Sequence, residues 1–516
     1  MSRALVTLAL IAFGIASLLP LVAMLPRVTA DDLAKLSDPR ILDLLGRTFA
    51  MGIGVAGLAL AIGLPFGFLV ARTDIPGAGL WRALGVAPLF VPTLLMAMSW
   101  AVLLPGLRGA PMTVLCLGLS GFPLVAVFSA RAFERIDRRL EESARLMRGA
   151  FGVLALDLPL VLPAALAGAC LAFTFAVNDF GVPDYVSSVG PKFNVYADQI
   201  FADWGQTQAP GLAVASSLPL VGLALLSLFP VLALRRRGAL ASLGERFEPP
   251  GRFRLGAWRW PALAFVLGVL ALAVFLPLGR LVFEAGQIKG EAFSVTNLPD
   301  SLRTAITRAR WDLVRSVAYG LAAAVFATGL GLVLGHAIER ARSRWLGPGL
   351  ELACLLPLAA PATLFGIGVI VTWSRPSTAD FYQSHWMPVL TYGGRLTAFA
   401  VLIVSGAVAS LPRAQEEAAE MAGAGPIRRL FGVVAPPLVP TLLASFVLVF
   451  AFALRELDTS LLVPAANRTA ILRVYNGVHM SRDEDVAALS LLLVFLAVLP
   501  ALLVALFSPR RMKVLP

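Results

Sequence analysis

Twelve stretches of about 17 or more residues contain no Lys, Arg, Asp or Glu, and each is long enough for a helix to cross a hydrocarbon core roughly 30 Å thick. They run over 4–25, 48–71, 83–104, 110–130, 159–178, 212–234, 261–279, 316–335, 352–374, 396–412, 433–454 and 487–508. Strands of a membrane barrel need only about ten alternating residues each. In lipid the backbone groups must be satisfied within the segment, so the fold class is an all-α polytopic membrane protein. A chain that is 58% hydrophobic and 14% charged, with mean hydropathy +0.82, is not a string of soluble domains. The net charge of +12 suits basic loops beside a lipid bilayer, and nucleic acid is not an expected partner. Cys116, Cys170 and Cys354 lie far apart inside apolar runs. They form no disulfide framework, redox pair or metal site, and no metal ligands or cofactor are expected.

Two stretches need separate treatment. The tenth is short and opens against Arg395; a start near Trp386 would tuck that arginine inside the bundle or leave it snorkelling. The first, with Arg3 before it and Val28-Thr29-Ala30 after it, has the shape of a cleavable signal. Its apolar run is long for one, and Leu19-Pro20-Leu21 recurs as Leu276-Pro277-Leu278 in the seventh stretch, so it is read as a span. Six arginines lie between Arg131 and Arg148 and seven between Arg235 and Arg259. By the positive-inside rule both segments, and both chain ends, are cytoplasmic.

The chain also contains a duplication. Residues Arg47 to Arg72 lay onto Arg315 to Arg340 at a constant offset of 268, pairing Gly63 with Gly331 and Gly67 with Gly335. The next span repeats at 269, matching Pro88 to Pro357 and Pro92 to Pro361, and the fifth and eleventh match at 277, pairing Pro159 with Pro436 and Pro163 with Pro440. Two tandem parallel repeats of six helices follow, over 1–234 and 259–516. An even number of spans per half keeps both copies in one orientation, with a pathway expected between them. Residues 235–258, basic and carrying Pro249-Pro250, read as a cytoplasmic linker whose arginines anchor the topology.

After the tenth span comes Glu416 to Pro440, EEAAEMAGAGPIRRLFGVVAPPLVP. Alanines and glutamates favour a short helix, the run from Gly423 to Pro426 ends it in a turn, and Ile427 to Phe431 begin a second helix with its arginines facing out. The segment, within about 413–440, resembles the EAA loop of permease subunits of binding-protein-dependent ABC importers. Glu417, Ala418, Ala419, Gly423, Pro436 and Pro440 fall on that family's spacing, with Ala435 in place of the usual Leu. A degenerate copy lies within about 131–163: Glu142, Ser143, Ala144 and Gly149, then Leu158-Pro159 and Pro163. Its glycine comes seven rather than six residues after the glutamate, which implies weaker or asymmetric coupling. The resemblance implies a type I importer permease fold, with both loops docking two ABC ATPase subunits on the cytoplasmic side. It also implies a periplasmic or extracellular substrate-binding protein and residence in the bacterial inner membrane. No GxxxxGK[ST] stretch occurs, and His336, His385 and His479 are scattered and read as structural. ATP is therefore hydrolysed elsewhere and the chain has no catalytic residue. The competing reading is a proton- or sodium-coupled carrier of two six-helix halves. Such carriers keep ionisable residues at membrane depth, and the apolar stretches hold none.

At the outer ends of the fifth and eleventh spans the offset of 277 brings Asp179 onto Glu456 and Asn178 onto Arg455, with Asp184 and Asp458 nearby. This is a candidate translocation gate about 20 residues, or roughly 30 Å, from the coupling loops. The same groups also suit interfacial residues that finish a helix. Arg455-Glu456 followed by Arg473-Val474-Tyr475-Asn476, in a chain of twelve spans, is similar to the iron(III) branch of these permeases. Thiamine, polyamine, sulfate and phosphonate permeases share the general plan.

Overall fold

A computed structural model describes residues 3–240, 248–287, 292–341, 343–462, 464–479 and 483–507. Part of the expected linker, 241–247, lies outside the described residues. In chain order the helices are α1 (Ala4–Arg27), α2 (Pro39–Arg72), α3 and α4 (Ala78–Phe90 and Thr93–Leu103), α5 (Ala110–Glu134) and α6 (Arg138–Asn178). The short α7 (Gly181–Val189) and α8 (Tyr196–Thr207) precede α9 (Pro210–Leu240). Then come α10 (Gly256–Ala285), α11 (Asn297–Glu339), α12 and α13 (Leu346–Ala359 and Ala362–Trp373), and α14 (Trp386–Ala409). The short α15 (Arg413–Met421), α16 (Pro426–Leu454), the short α17 (Ala470–His479) and α18 (Asp483–Phe507) complete the chain. Among the described residues ten helices are long and apolar enough to cross a membrane, or up to twelve with two bent pairs included. No strand forms among them.

The bent pairs add a feature that the apolar stretches did not specify. The third and ninth apolar stretches are not single straight crossings: α3 meets α4, and α12 meets α13, at 97°. The duplicated prolines are the cause. A residue before proline is pushed out of the helical region, and Val91 and Ala360 sit at ψ 124 and 134. Pro92 and Pro361 follow at ψ 133 and 140 as N-caps of the restarted helices. A second proline effect recurs three times. Inside a helix, proline lacks an N–H and crowds the carbonyl four residues back, and a widened turn relieves both. Accordingly π-helical turns at Gly14–Leu18, Ala271–Phe275 and Leu430–Val434 stand immediately before the segments that hold Pro20, Pro277 and Pro436.

The chain divides into two compact units. One comprises Met1–Leu42, Ala197–Val221 and Leu281–Leu515; the other comprises Asp43–Tyr196 and Gly222–Arg280. Helix α1 thus joins the helices of the second repeat, and most of α10 joins those of the first. In the former unit the Ser17 hydroxyl donates to Gly394 O of α14 at 2.8 Å. Ala9 and Phe13 are buried there with Leu334, Val401 and Val404. In the latter the Ser99 hydroxyl donates to Pro277 O at 3.1 Å. Each unit has the same helix contact at its centre. A Cβ on Gly63 of α2 would lie 2.7 Å from Val125 Cβ of α5, and one on Gly331 of α11 would lie 2.8 Å from Ala400 Cβ of α14. Small residues let membrane helices approach this closely, which is why these glycines occur in both copies.

Helix α14 starts at Trp386, so Arg395 lies inside it, about 13 Å along its axis. Its guanidinium is nearly buried and pairs with Glu456 at 2.6 Å. The apolar stretches hold no charge, but the longer helix that contains the tenth one does.

Candidate functional site

The second lever is α15, the turn after it and the first turn of α16. Gly423 closes α15 at φ +80, with Ala424 N–H donating to Ala419 O and Gly423 N–H to Glu420 O, both at 2.9 Å. This two-bond closure needs a left-handed residue. Nothing lies within 4 Å of a Cβ placed there, so the backbone conformation alone requires glycine. Gly425 then caps the next helix and Pro426 opens it. Glu417 and Ala418 are exposed and Ala419 is partly so. Of the two arginines expected to face outward, Arg428 does, whereas Arg429 folds back onto Glu420 and ties the two short helices together. Met421, Ile427 and Phe431 are 86%, 56% and 55% exposed. An open depression lies among Gly425, Pro426, Ile427, Arg428, Phe431 and Gly432.

The first lever is the opening of α6. It runs as helix from Arg138 and breaks at Arg148 and Gly149, the latter at φ 59, so the displaced glycine still supplies a left-handed residue. Glu142 and Ser143 are exposed and Ala144 partly so. Glu142 pairs with Arg138 at 2.7 Å, and the Ser143 hydroxyl donates to Arg139 O. Leu146 and Met147 are 90% and 83% exposed. Both levers therefore offer apolar side chains beside their motif residues, as an association surface would.

What holds each lever is a pair that the motif did not reveal. Arg72, the last residue of α2, donates to Glu141 at 2.6 Å and lies 3.4 Å from Asp157. It also donates to Phe133 O and Gly251 O, each at 3.2 Å. Arg340, just past α11, donates to Glu416 at 2.7 Å and to Leu411 O at 3.0 Å, and His336 Nε2 meets the other Glu416 oxygen at 2.7 Å. The first arginine and glutamate are 1% and 3% exposed, the second pair 15% and 16%. Burial alone would raise the Glu416 carboxyl. Hydrogen bonds from His336 and Arg340, and then their charges, outweigh it and hold Glu416 below its ordinary value. The sequence held a usable signal. Arg72 and Arg340 end the aligned repeat at offset 268, and Glu141 and Glu416 each stand one residue before the motif glutamate.

The carboxylates at the far ends of α6 and α16 have a duplicated geometry. Asp179 Oδ1 accepts Val182 N–H at 2.9 Å, and Glu456 Oε1 accepts the Thr459 hydroxyl at 3.1 Å and its N–H at 3.4 Å. Each carboxylate thus caps the turn three residues on. The other oxygens differ: Asp179 Oδ2 accepts from Thr93 at the start of α4 at 3.0 Å, and Glu456 Oε2 pairs with Arg395. Asn178 is buried, and the Arg455 guanidinium lies 5.0 Å from the Phe452 ring centre. Among the described residues no group of His, Cys, Asp and Glu could hold a metal ion.

Residues 327–513 match the family described as "Binding-protein-dependent transport system inner membrane component". A probable ABC transporter permease of Sinorhizobium fredii is 27% identical over 407 residues, covering 74% of this chain and 69% of its own. The Fe(3+)-transport system permease protein FbpB 2 of Haemophilus influenzae is 22% identical over 508 residues, 96% of this chain and 97% of that one. A Salmonella typhimurium protein named for 2-aminoethylphosphonate transport, PhnV, is 25% identical over 258 residues, 49% of this chain but 93% of its own. One relative is thus matched almost whole by 49% of this chain, and another by nearly all of it. Residues 327–513 thus match the inner-membrane component family of binding-protein-dependent transport systems, and the chain along its length resembles double-length ABC transporter permeases.

Proposed function

We propose that the chain is the membrane-spanning subunit of an ATP-driven importer, with ferric iron as its cargo. In this reading each lever seats on one of two cytoplasmic ATPase subunits, and a binding protein delivers cargo on the opposite face of the bacterial inner membrane. The chain hydrolyses no ATP itself. The observation that carries the reading is the pair of levers. Each has a left-handed glycine, at φ 59 and φ 80, an arginine–glutamate junction to the helix before it, and bare apolar side chains beside the motif residues. A rigid element with an exposed apolar tip transmits the movement of whatever binds it. The Gly423 closure and the Arg429–Glu420 tie make the second lever such an element.

The choice of iron rests on the Haemophilus influenzae permease named for Fe(3+), which the chain matches along almost its entire length. Asp179 and Glu456 form the proposed gate. Asp179 links the restarted helix α4 to the turn that follows α6, and Glu456 links the nearly buried Arg395 to the turn that follows α16. The test is ATPase activity of the complex in liposomes, with binding protein loaded with ferric iron or with a phosphonate. Stimulation by the iron-loaded protein is expected. Stimulation only by the phosphonate-loaded protein would replace the cargo and leave the importer assignment intact. Replacing Asp179 and Glu456 together by Ala should slow uptake, and unchanged uptake would reduce both to helix caps.

A further inference from the structure

The segment Glu248–Leu255, expected to be no more than the end of a connector, is fastened along its length to the base of the first lever. Arg138 N–H donates to Glu248 O at 3.0 Å, and Arg139 pairs with the Glu248 carboxylate at 3.1 Å. Phe253 N–H donates to Arg72 O at 2.7 Å and Asp74 N–H to Phe253 O at 3.2 Å, around a bridge between Thr73 and Phe253. Asp74 Oδ1 accepts Leu255 N–H at 2.9 Å. In between, Gly251 O accepts from the buried Arg72 guanidinium, and the Phe253 ring lies 5.3 Å from that guanidinium and 5.6 Å from the Phe68 ring. A tether needs only length. Ordering each residue costs about 1–2 kcal/mol of backbone entropy, and these contacts offset that cost at one place, the Arg72–Glu141 junction.

Among the described residues the second lever closes without such an arm. At the offset of 268, His336 occupies the position of Phe68 and Arg340 that of Arg72. His336 reaches Glu416 directly, and Arg340 takes its carbonyl partner from Leu411 in the same half. The first lever has a phenylalanine where the second has that histidine. One carbonyl partner of Arg72, Phe133 O, comes from α5, and the arm adds the second, Gly251 O, together with the Phe253 ring.

We propose that Glu248–Leu255 is a positioning element of the first lever, sealing the Arg72–Glu141 junction and fixing the angle at which Met147 and its neighbours meet the ATPase. Phe253 is its half-buried aromatic contact and Asp74 the latch that holds its far end. The inference rests on the reading that both levers dock ATPase subunits. The linker of this double-length chain then replaces, by contact, what the degenerate motif has lost.

The test uses the full chain with its ATPase and a photo-crosslinking residue at position 147 or 421. Unaltered chain should crosslink to the ATPase from both positions. Phe253→Ala should cut crosslinking from 147 several-fold and leave 421 unchanged, and Phe253→Tyr should restore it. Asp74→Ala, at an exposed residue outside the junction, should give the same one-sided loss without disturbing the buried core. Undiminished crosslinking from 147 in both alanine variants would overturn the proposal. So would equal loss from 147 and 421, which reports general collapse. If the unaltered chain crosslinks from neither position, the docking reading itself fails and this inference falls with it.

Discussion

The first lever is bolted inside the protein and the second at its surface. Arg72 and Glu141 are excluded from solvent and ringed by Asp157, Phe253 and two carbonyls. Arg340 and Glu416 sit within reach of water, with His336 as a third partner. Yet the lever with the weaker motif has the deeper bolt. Motif quality and mechanical anchoring are therefore separate properties: the motif glutamates Glu142 and Glu417 are exposed, and the anchoring residues stand just before them and on the preceding membrane helix.

The largest difference should appear when each bolt is cut. Arg72→Ala leaves Glu141 and Asp157 buried without their cation and should cost about 3–5 kcal/mol, seen as a lower unfolding midpoint in detergent and poor yield. Arg340→Ala, at a partly hydrated site, should cost about 1.5–3 kcal/mol. Equal losses would mean that the difference in burial has no energetic weight. Next in size are the turns. Gly423→Ala and Gly149→Ala each force a side chain into a left-handed conformation worth about 1–2 kcal/mol. Nothing crowds a Cβ at either position. The two variants should insert normally and lose similar amounts of ATPase attachment in pull-downs, and a loss confined to one would show that its partner turn is slack.

Smallest is the response to pH. Because the folded state holds the Glu416 carboxyl below its ordinary value, its stabilisation is complete above the unfolded pKa and is lost as pH falls through the folded one. Hydrogen exchange in 413–421, corrected for the intrinsic pH dependence of amide exchange, should stay constant from neutral pH down to about 4 and accelerate only below that. Glu416→Gln should remove the change. Acceleration already near neutral pH would assign control to another group at that junction.

Much of this was legible in the sequence because the signals were local. Apolar length gave the spans, constant offsets gave the duplication, and Gly149 and Gly423 stand where the chain must turn. The bends at Pro92 and Pro361 were less legible. The prolines were visible as repeated positions, but a hydropathy window spans a break without registering it. The Arg72–Glu141 and Arg340–Glu416 junctions were missed because charges at loop edges are read as solvated. Only three-dimensional proximity distinguishes Glu141 from its exposed neighbour Glu142. The arm at Glu248–Leu255 was hidden for the same reason, its composition being that of any basic, proline-containing connector.

The central claim is that a separate ATPase drives transport through these levers. Uptake of cargo into liposomes holding the chain, its ATPase and the binding protein tests it directly, with Gly423→Pro compared against the unaltered chain. The account predicts uptake that needs ATP and that Gly423→Pro abolishes while the variant still inserts. Uptake sustained by a proton or sodium gradient without ATP, or full uptake by the Gly423→Pro chain, would contradict it.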